Sequence, residues 1–175
     1  MVRTPWRDDP MPFIEAAEMG THKVITEHST IGMLVTTDGT IGDIPRQSYV
    51  EAEERIVDEL KTLGKPFAVI LNSAHPSSDS AIALAYELEA KYRVPVALVS
   101  CIDLDAEDIR HILELVLHEF PVSEIKIRLP EWTAALDDKH VIKTSIYSSI
   151  RSAADKISKA GEVKDAIMTL GDNEY

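Results

Sequence analysis

The residues best suited to chemistry in this 175-residue chain are small and polar, and they follow short apolar runs. Thr36, Thr37 and Asp38 come after Ile31–Val35, Asn72 and Ser73 after Phe67–Leu71, and Ser100 and Cys101 after Val94–Val99. If the three runs are parallel strands of one sheet, these groups line a single rim, where ligands of α/β proteins sit beyond the carboxyl ends of strands. A nucleotide base could rest on Asn72, Ser73, Ser100 and Cys101; the same residues also serve as plain strand-end turns. Other chemistries are poorly supplied. His111 and His118 are seven apart, whereas a helical zinc pair sits about four apart, as in HExxH. His22 and His28 fit a helix no better, and Cys101 has no CxxC companion. As a nucleophile Cys101 would need a nearby base and an electropositive pocket; a small core residue is the simpler reading. The pairs Asp8-Asp9, Glu53-Glu54 and Asp137-Asp138 read as caps and solvated faces. Neither GxxxxGK[ST] nor GxGxxG occurs, and only seven glycines are present, so a phosphate cradle of inward-turned amides is not built locally. Catalytic residues and metal ligands are accordingly left unassigned.

The elements that must position this rim alternate. A helix is expected from about Pro10 to Glu27, capped by Asp9 with Pro10 in its first turn; Gly20 weakens it. Ile31–Val35 is apolar without alternation and reads as a strand buried on both faces, followed by the turn Asp38-Gly39. A helix from about Ser48 to Leu63 follows, with Tyr49, Ala52, Ile56, Leu60 and Leu63 inward, stopping at Gly64. Then come the strand at 67–71, a helix from Asp79 to Tyr92, the strand Val94–Val99, and a helix capped by Asp105 with Ile109, Ile112, Leu113, Val116 and Leu117 inward. This alternation means an α/β fold with a parallel sheet flanked by helices. After Pro121 the pattern changes: Val122, Ile125, Ile127 and Leu129 suggest a partly alternating strand, and Ile142–Ser158 a helix. A domain boundary is expected near Leu129–Trp132, with a short amphipathic stretch (Val163, Ile167, Leu170) near the end.

Composition bounds the function. Hydrophobic residues make up 45% of the chain, enough for a real core, and the formal charge is −12. That balance argues against a broad surface for nucleic acid or anionic lipid. One cysteine excludes an intrachain disulfide framework and fits a reducing cytosol. No apolar run approaches the ~20 residues of a membrane span, and the first residues lack a signal-peptide core.

Three blocks carry a family resemblance: TPWRDDPMPFIEAAEMGTHKVITEHSTIGMLVTTDGTIGDIPR, YVEAEERIVDELKTLGKPFAVILNS and HEFPVSEIKIRLPEW. They resemble the stage IV sporulation protein A family, spore-coat morphogenetic ATPases of endospore-forming Firmicutes. The resemblance implies a P-loop protein of the translation-factor-like class that hydrolyses ATP with Mg²⁺. It implies polymerisation on the forespore surface, in the mother-cell cytoplasm, as the basement layer of the coat. The implied partners are further copies of itself and other spore-coat morphogenetic proteins. Nucleic acid is not among them, and membrane contact would come only through a C-terminal region beyond this chain. That class reads guanine with Asn-Lys-x-Asp at a strand end; the corresponding stretch here is Asn72-Ser73-Ala74-His75. Loss of the carboxylate that pairs with guanine agrees with a preference for ATP. Ser100-Cys101 would take the place of the last base-contacting loop.

The Walker A loop, the switch threonines and the Walker B aspartate of the family all precede the block that begins here, and Thr36-Thr37 are not those switch residues. The expectation is therefore an interior piece with no nucleotide bound by itself. Residues 1–129 would be the C-terminal half of the P-loop NTPase-like ATPase domain, and 130–175 the beginning of an α-rich or α+β middle domain. Such a piece would hold no catalytic residue of its own. It would retain self-association surfaces, with Ile31–Val35 as an exposed, apolar sheet edge. A non-enzymatic structural role and a flavodoxin-like small-ligand module are the alternatives.

Overall fold

The apolar run after Pro66 becomes the central strand of the sheet. Strand β4 (Phe67–Asn72) pairs in parallel with β3 (Gly32–Thr37) on one side and β5 (Val96–Val99) on the other, in the order β3-β4-β5. Burial on both faces explains its composition: Ala68, Val69 and Leu71 are wholly inaccessible to solvent. The crossovers are helices α2 (Gln47–Thr62) and α3 (Asp79–Tyr92). Val57 and Leu60 of α2 and Leu88 and Tyr92 of α3 pack with Phe67, Val69, Leu71 and Val96 into one core. The helices stop where the sequence says they should. Gly64 turns left-handed after α2 (φ +63°), and Ser78 Oγ accepts the Ala81 amide at 3.3 Å at the start of α3. This is the expected α/β fold, a parallel sheet flanked by helices.

The computed structural model describes residues 1–171, and the chain divides into two compact units, Met1–Ile112 and Leu113–Tyr175. Several expected elements of the first unit are corrected. Residues 1–11 form an antiparallel hairpin, β1 (Val2–Thr4) and β2 (Arg7–Met11), where no strand was expected. Helix α1 begins at Phe13, not Pro10, and spans Phe13–Lys23 before a wide turn at Val24–His28. The reason lies in Pro10 and Pro12: each pushes the residue before it, Asp9 and Met11, into extended backbone, so no helix can start earlier. Gly20 is explained by Trp6, whose ring would lie 3.3 Å from a Cβ at that position.

Strand β3 runs on through Thr36 and Thr37 and is not buried on both faces: Met33 is 50% and Val35 59% exposed. It is an edge, with β4 as its only partner among the described residues. In α2 the inward stripe is shifted. Glu53, Val57 and Leu60 are the buried positions, and Glu53 is not on a solvated face.

Helix α4 (Ala106–His118) starts at the expected cap, where Asp105 Oδ1 accepts the amides of Glu107 and Asp108 at 2.8 and 2.9 Å. Of its five expected inward residues only Ile112 and Val116 are buried, while Ile109, Leu113 and Leu117 are exposed. Within the second unit, residues 122–129 do not form a strand. A single antiparallel bridge, Pro121 to Lys159, is followed by unpaired chain up to a short 3₁₀ turn at Glu131–Ala135. The strand signal failed because alternation only creates a candidate edge; a ladder also needs a second strand in reach. Helices α5 (Val141–Ala154) and α6 (Val163–Gly171) complete the unit and contact each other. The helix expected to reach Ser158 ends at Ala154, so Ile157 lies beyond it.

Candidate site at the carboxyl ends of the strands

Three strand ends are stitched together by side chains. Asp38, just after β3, makes an Asx turn in which Oδ1 accepts the Thr40 amide at 2.9 Å and the Thr40 hydroxyl at 2.6 Å. Gly39 completes that turn with φ +90° and donates to Thr37 Oγ1. The Thr40 hydroxyl oxygen in turn accepts the Ala74 amide at 2.9 Å, joining the β3 loop to the β4 loop. On the other side Asn72 Oδ1 accepts the Cys101 amide at 2.9 Å, joining β4 to the loop after β5. Asn72, Ser73, Ser100 and Cys101, with Asp38 and Thr40, therefore belong to one rim.

Each residue offers something different there. With Oδ1 engaged, Asn72 has its Nδ2 amide left as a donor pair, the complement of a ring nitrogen or carbonyl. Ser73 is fully buried beneath the rim; its hydroxyl accepts the His75 amide at 3.0 Å and hydrogen-bonds to Asp38. Burial alone would raise the Asp38 pKa, but the hydrogen bonds from Ser73 and Thr40 outweigh it and hold the carboxyl below its ordinary value. Ser100 donates from Oγ to Asp103 at 2.9 Å, and Cys101 is exposed. The rim can thus present polar donors and a fixed anion to a small heterocycle. Among the described residues, none of these rim side chains is a lysine or arginine that could meet a phosphate.

Behind the rim lies a network that the sequence reading missed. Arg46 sends two parallel hydrogen bonds of 2.7 Å to the Glu53 carboxylate, and the Tyr92 hydroxyl donates to the same carboxylate at 2.6 Å. Arg46 also reaches Thr36 Oγ1 at 3.3 Å. Burial works to raise the Glu53 pKa, but bonds from Arg46, Thr36 and Tyr92 bring it below the ordinary glutamate value. Burial first, and then the Glu53 carboxylate, push the Tyr92 phenol up to about 12. The network ties the start of α2 to β3 and to the last turn of α3, and so fixes the base of the 38–46 loop. A signal was available: Arg46 and Glu53 lie seven apart, two turns of one helix, and Glu53 falls on the same stripe as Val57 and Leu60.

Elsewhere in the first unit, α1 and α2 border a groove of ≈ 640 Å³ crossed by His22–Glu59 (2.6 Å) and Arg55–Glu18 (3.3 Å). It is separate in its lining from the rim. Among the described residues no group of three or more His, Cys, Asp or Glu side chains could hold a metal ion, and no helix is long and apolar enough to cross a membrane.

Known proteins share this chain along its whole length. The family model for the ATPase domain of stage IV sporulation protein A matches residues 1–121, and the model for the middle domain of the same protein matches residues 122–175. The chain is 45% identical over all 175 residues to stage IV sporulation protein A of Clostridioides difficile strain 630. Identity is 42% to the proteins of that name from Bacillus subtilis strain 168 and Bacillus anthracis, again over the whole chain. It spans 36% of the length of each of these relatives. No solved structure matches it. A three-stranded parallel sheet with flanking helices is consistent with part of a P-loop NTPase-like domain. With two consecutive domain models covering every residue, the chain belongs to the stage IV sporulation protein A family.

Proposed function

We propose that this chain contributes the base-binding rim of an ATP-hydrolysing protein that acts in sporulation, polymerising on the forespore surface as the basement layer of the spore coat. The observation that carries the reading is the match of the ATPase-domain model to residues 1–121, which encloses the whole strand-end rim. Adenine would lie against Asn72 and the Ser100-Cys101 loop, with Ser73 bracing Asp38 and His75 beneath. His75 stands where a guanine-reading protein needs a carboxylate, and this favours adenine. The partners on this reading are other copies of the protein and further spore-coat morphogenetic proteins in the mother-cell cytoplasm.

The chain by itself does not turn over ATP. Phosphoryl transfer is largely positioning and charge neutralisation by a glycine loop, its lysine and Mg²⁺, and residues 1–175 contain no GxxxxGK[ST]. On this reading the rim would hold the base, and among the described residues it lends no glycine loop and no lysine to the phosphates. Titration with a fluorescent adenine nucleotide tests this. The sequence alone leads to the expectation that no nucleotide stays bound to this piece by itself; the rim instead leads to weak binding, displaced equally well by adenosine and by ATP, lost in Asn72→Ala, and without phosphate release. Displacement by guanosine but not adenosine, or binding unchanged in Asn72→Ala, would remove the rim from the reading.

A further inference from the structure

Residues 122–129 alternate as a half-buried strand does, with Ile125, Ile127 and Leu129 on one side and Glu124, Lys126 and Arg128 on the other. Glu124 and Lys126 pair at 3.2 Å, placing both charges on the same side. Yet the segment has no ladder. Val122 donates its amide to Ser158, and beyond it no backbone amide or carbonyl of residues 123–129 has a partner among the described residues. Ile125 and Ile127 stay 41% and 49% exposed. Together with Lys126 and Arg128 they form one wall of a largely apolar groove of ≈ 460 Å³ whose other wall is Ile150 and Ile157, with Ile167 and Leu170 of α6. Open main-chain valences and an open apolar groove lie together, the combination that accepts an added strand.

We propose that the occupant is the same segment of a second copy, paired antiparallel about Lys126. The sequence is self-complementary in that register. Glu124 of each copy falls opposite Arg128 of the other, and Ile125 opposite Ile127, so one two-fold contact contains two charge pairs and two apolar pairs. The apolar side of the ribbon then closes over the grooves beside α5 and α6, which supply the backing that an isolated two-stranded ribbon lacks. Only the Lys126 side chains meet like charge, at the axis. This names a self-contact surface for the assembly reading above and rests on it for its biological meaning. The contact is measured on this chain without nucleotide, so failure of either leaves the other standing.

Sedimentation equilibrium on the chain, with circular dichroism to confirm folding, tests the contact. The Val35→Lys background blocks pairing through the β3 edge. A concentration-dependent dimer is expected there. Glu124→Arg and Arg128→Glu should each weaken it roughly tenfold or more, since each reverses both symmetry-related charge pairs. The double variant E124R/R128E should restore it. A folded monomer at all concentrations would overturn the proposal. So would a dimer lost only through Val35→Lys, or one indifferent to the charge reversals and the swap.

Discussion

Glu53 shows what a single residue decides here. Its side chain is 2% exposed and satisfied by Arg46 and Tyr92, so removing it strands a guanidinium and a phenol in the interior. Glu53→Ala should cost about 3–5 kcal/mol in urea-unfolding stability, the usual penalty for breaking a buried pair from one side. The pH dependence follows from the same contacts. Glu53 has a folded pKa below its ordinary 4.5, so its contribution is present above that value and is lost as pH falls through the folded pKa. Tyr92 has a folded pKa near 12 against an ordinary 10, so its contribution is complete below 10 and fades as pH rises from 10 towards 12. Unfolding midpoints measured across pH should fall at both ends, with the alkaline fall reduced in Tyr92→Phe; Lys91 and Lys143, whose folded pKa values are also raised, keep the remainder. Gly39 is the other decisive residue. At φ +90°, and with the Arg46 amide nitrogen only 3.0 Å from where a Cβ would stand, Gly39→Ala should cost about 1–3 kcal/mol by denaturant unfolding.

Among the elements of the described residues, β4 carries the first unit because it alone there has a strand on each side and a helix layer over its Phe67–Val69–Leu71 face. Leu71→Ala should therefore lower unfolding stability by about 2–5 kcal/mol, whereas Ile82→Ala, on an exposed position of α3, should change it by less than about 1 kcal/mol. Periodicity found every helix that packs on the sheet, because a helix buries a continuous stripe of its own residues. It erred at the hairpin and at residues 122–129, because a strand exists only with a partner and partners are remote in sequence. The inward faces of α2 and α4 also differ from the apolar stripe. Three-dimensional neighbours decide which apolar residues are covered and whether a carboxylate such as Glu53 can be neutralised in place.

At the scale of the whole molecule, the exposed β3 edge dominates the expected behaviour in solution. Gly32–Thr37 contains no lysine, no proline and no bulge, and presents Met33 and Val35 beside unpaired backbone, which is how an unprotected edge invites pairing. Val35→Lys should raise the concentration at which the chain begins to aggregate, measured by light scattering on heating, without lowering its midpoint of unfolding by more than about 1 kcal/mol equivalent. An aggregation onset unchanged by the lysine would mean that association does not run through β3. The chain's 36% share of the length of its relatives makes this edge a property of residues 1–175 as they stand.

The sequence alone determined the alternation of helices and strands that builds the sheet, the cap at Asp105, the stop at Gly64, and the family, because these depend on local composition and on residue identity. It also placed Asn72, Ser73, Ser100 and Cys101 at strand ends. Only the tertiary structure decided that Asn72 reaches the Cys101 amide and Thr40 the Ala74 amide, that Ser73 is buried beneath the rim, and that Arg46, Glu53 and Tyr92 share one interior network. Those contacts join residues 7 to 39 positions apart, and no local pattern fixes the direction in which a side chain at a strand end will turn.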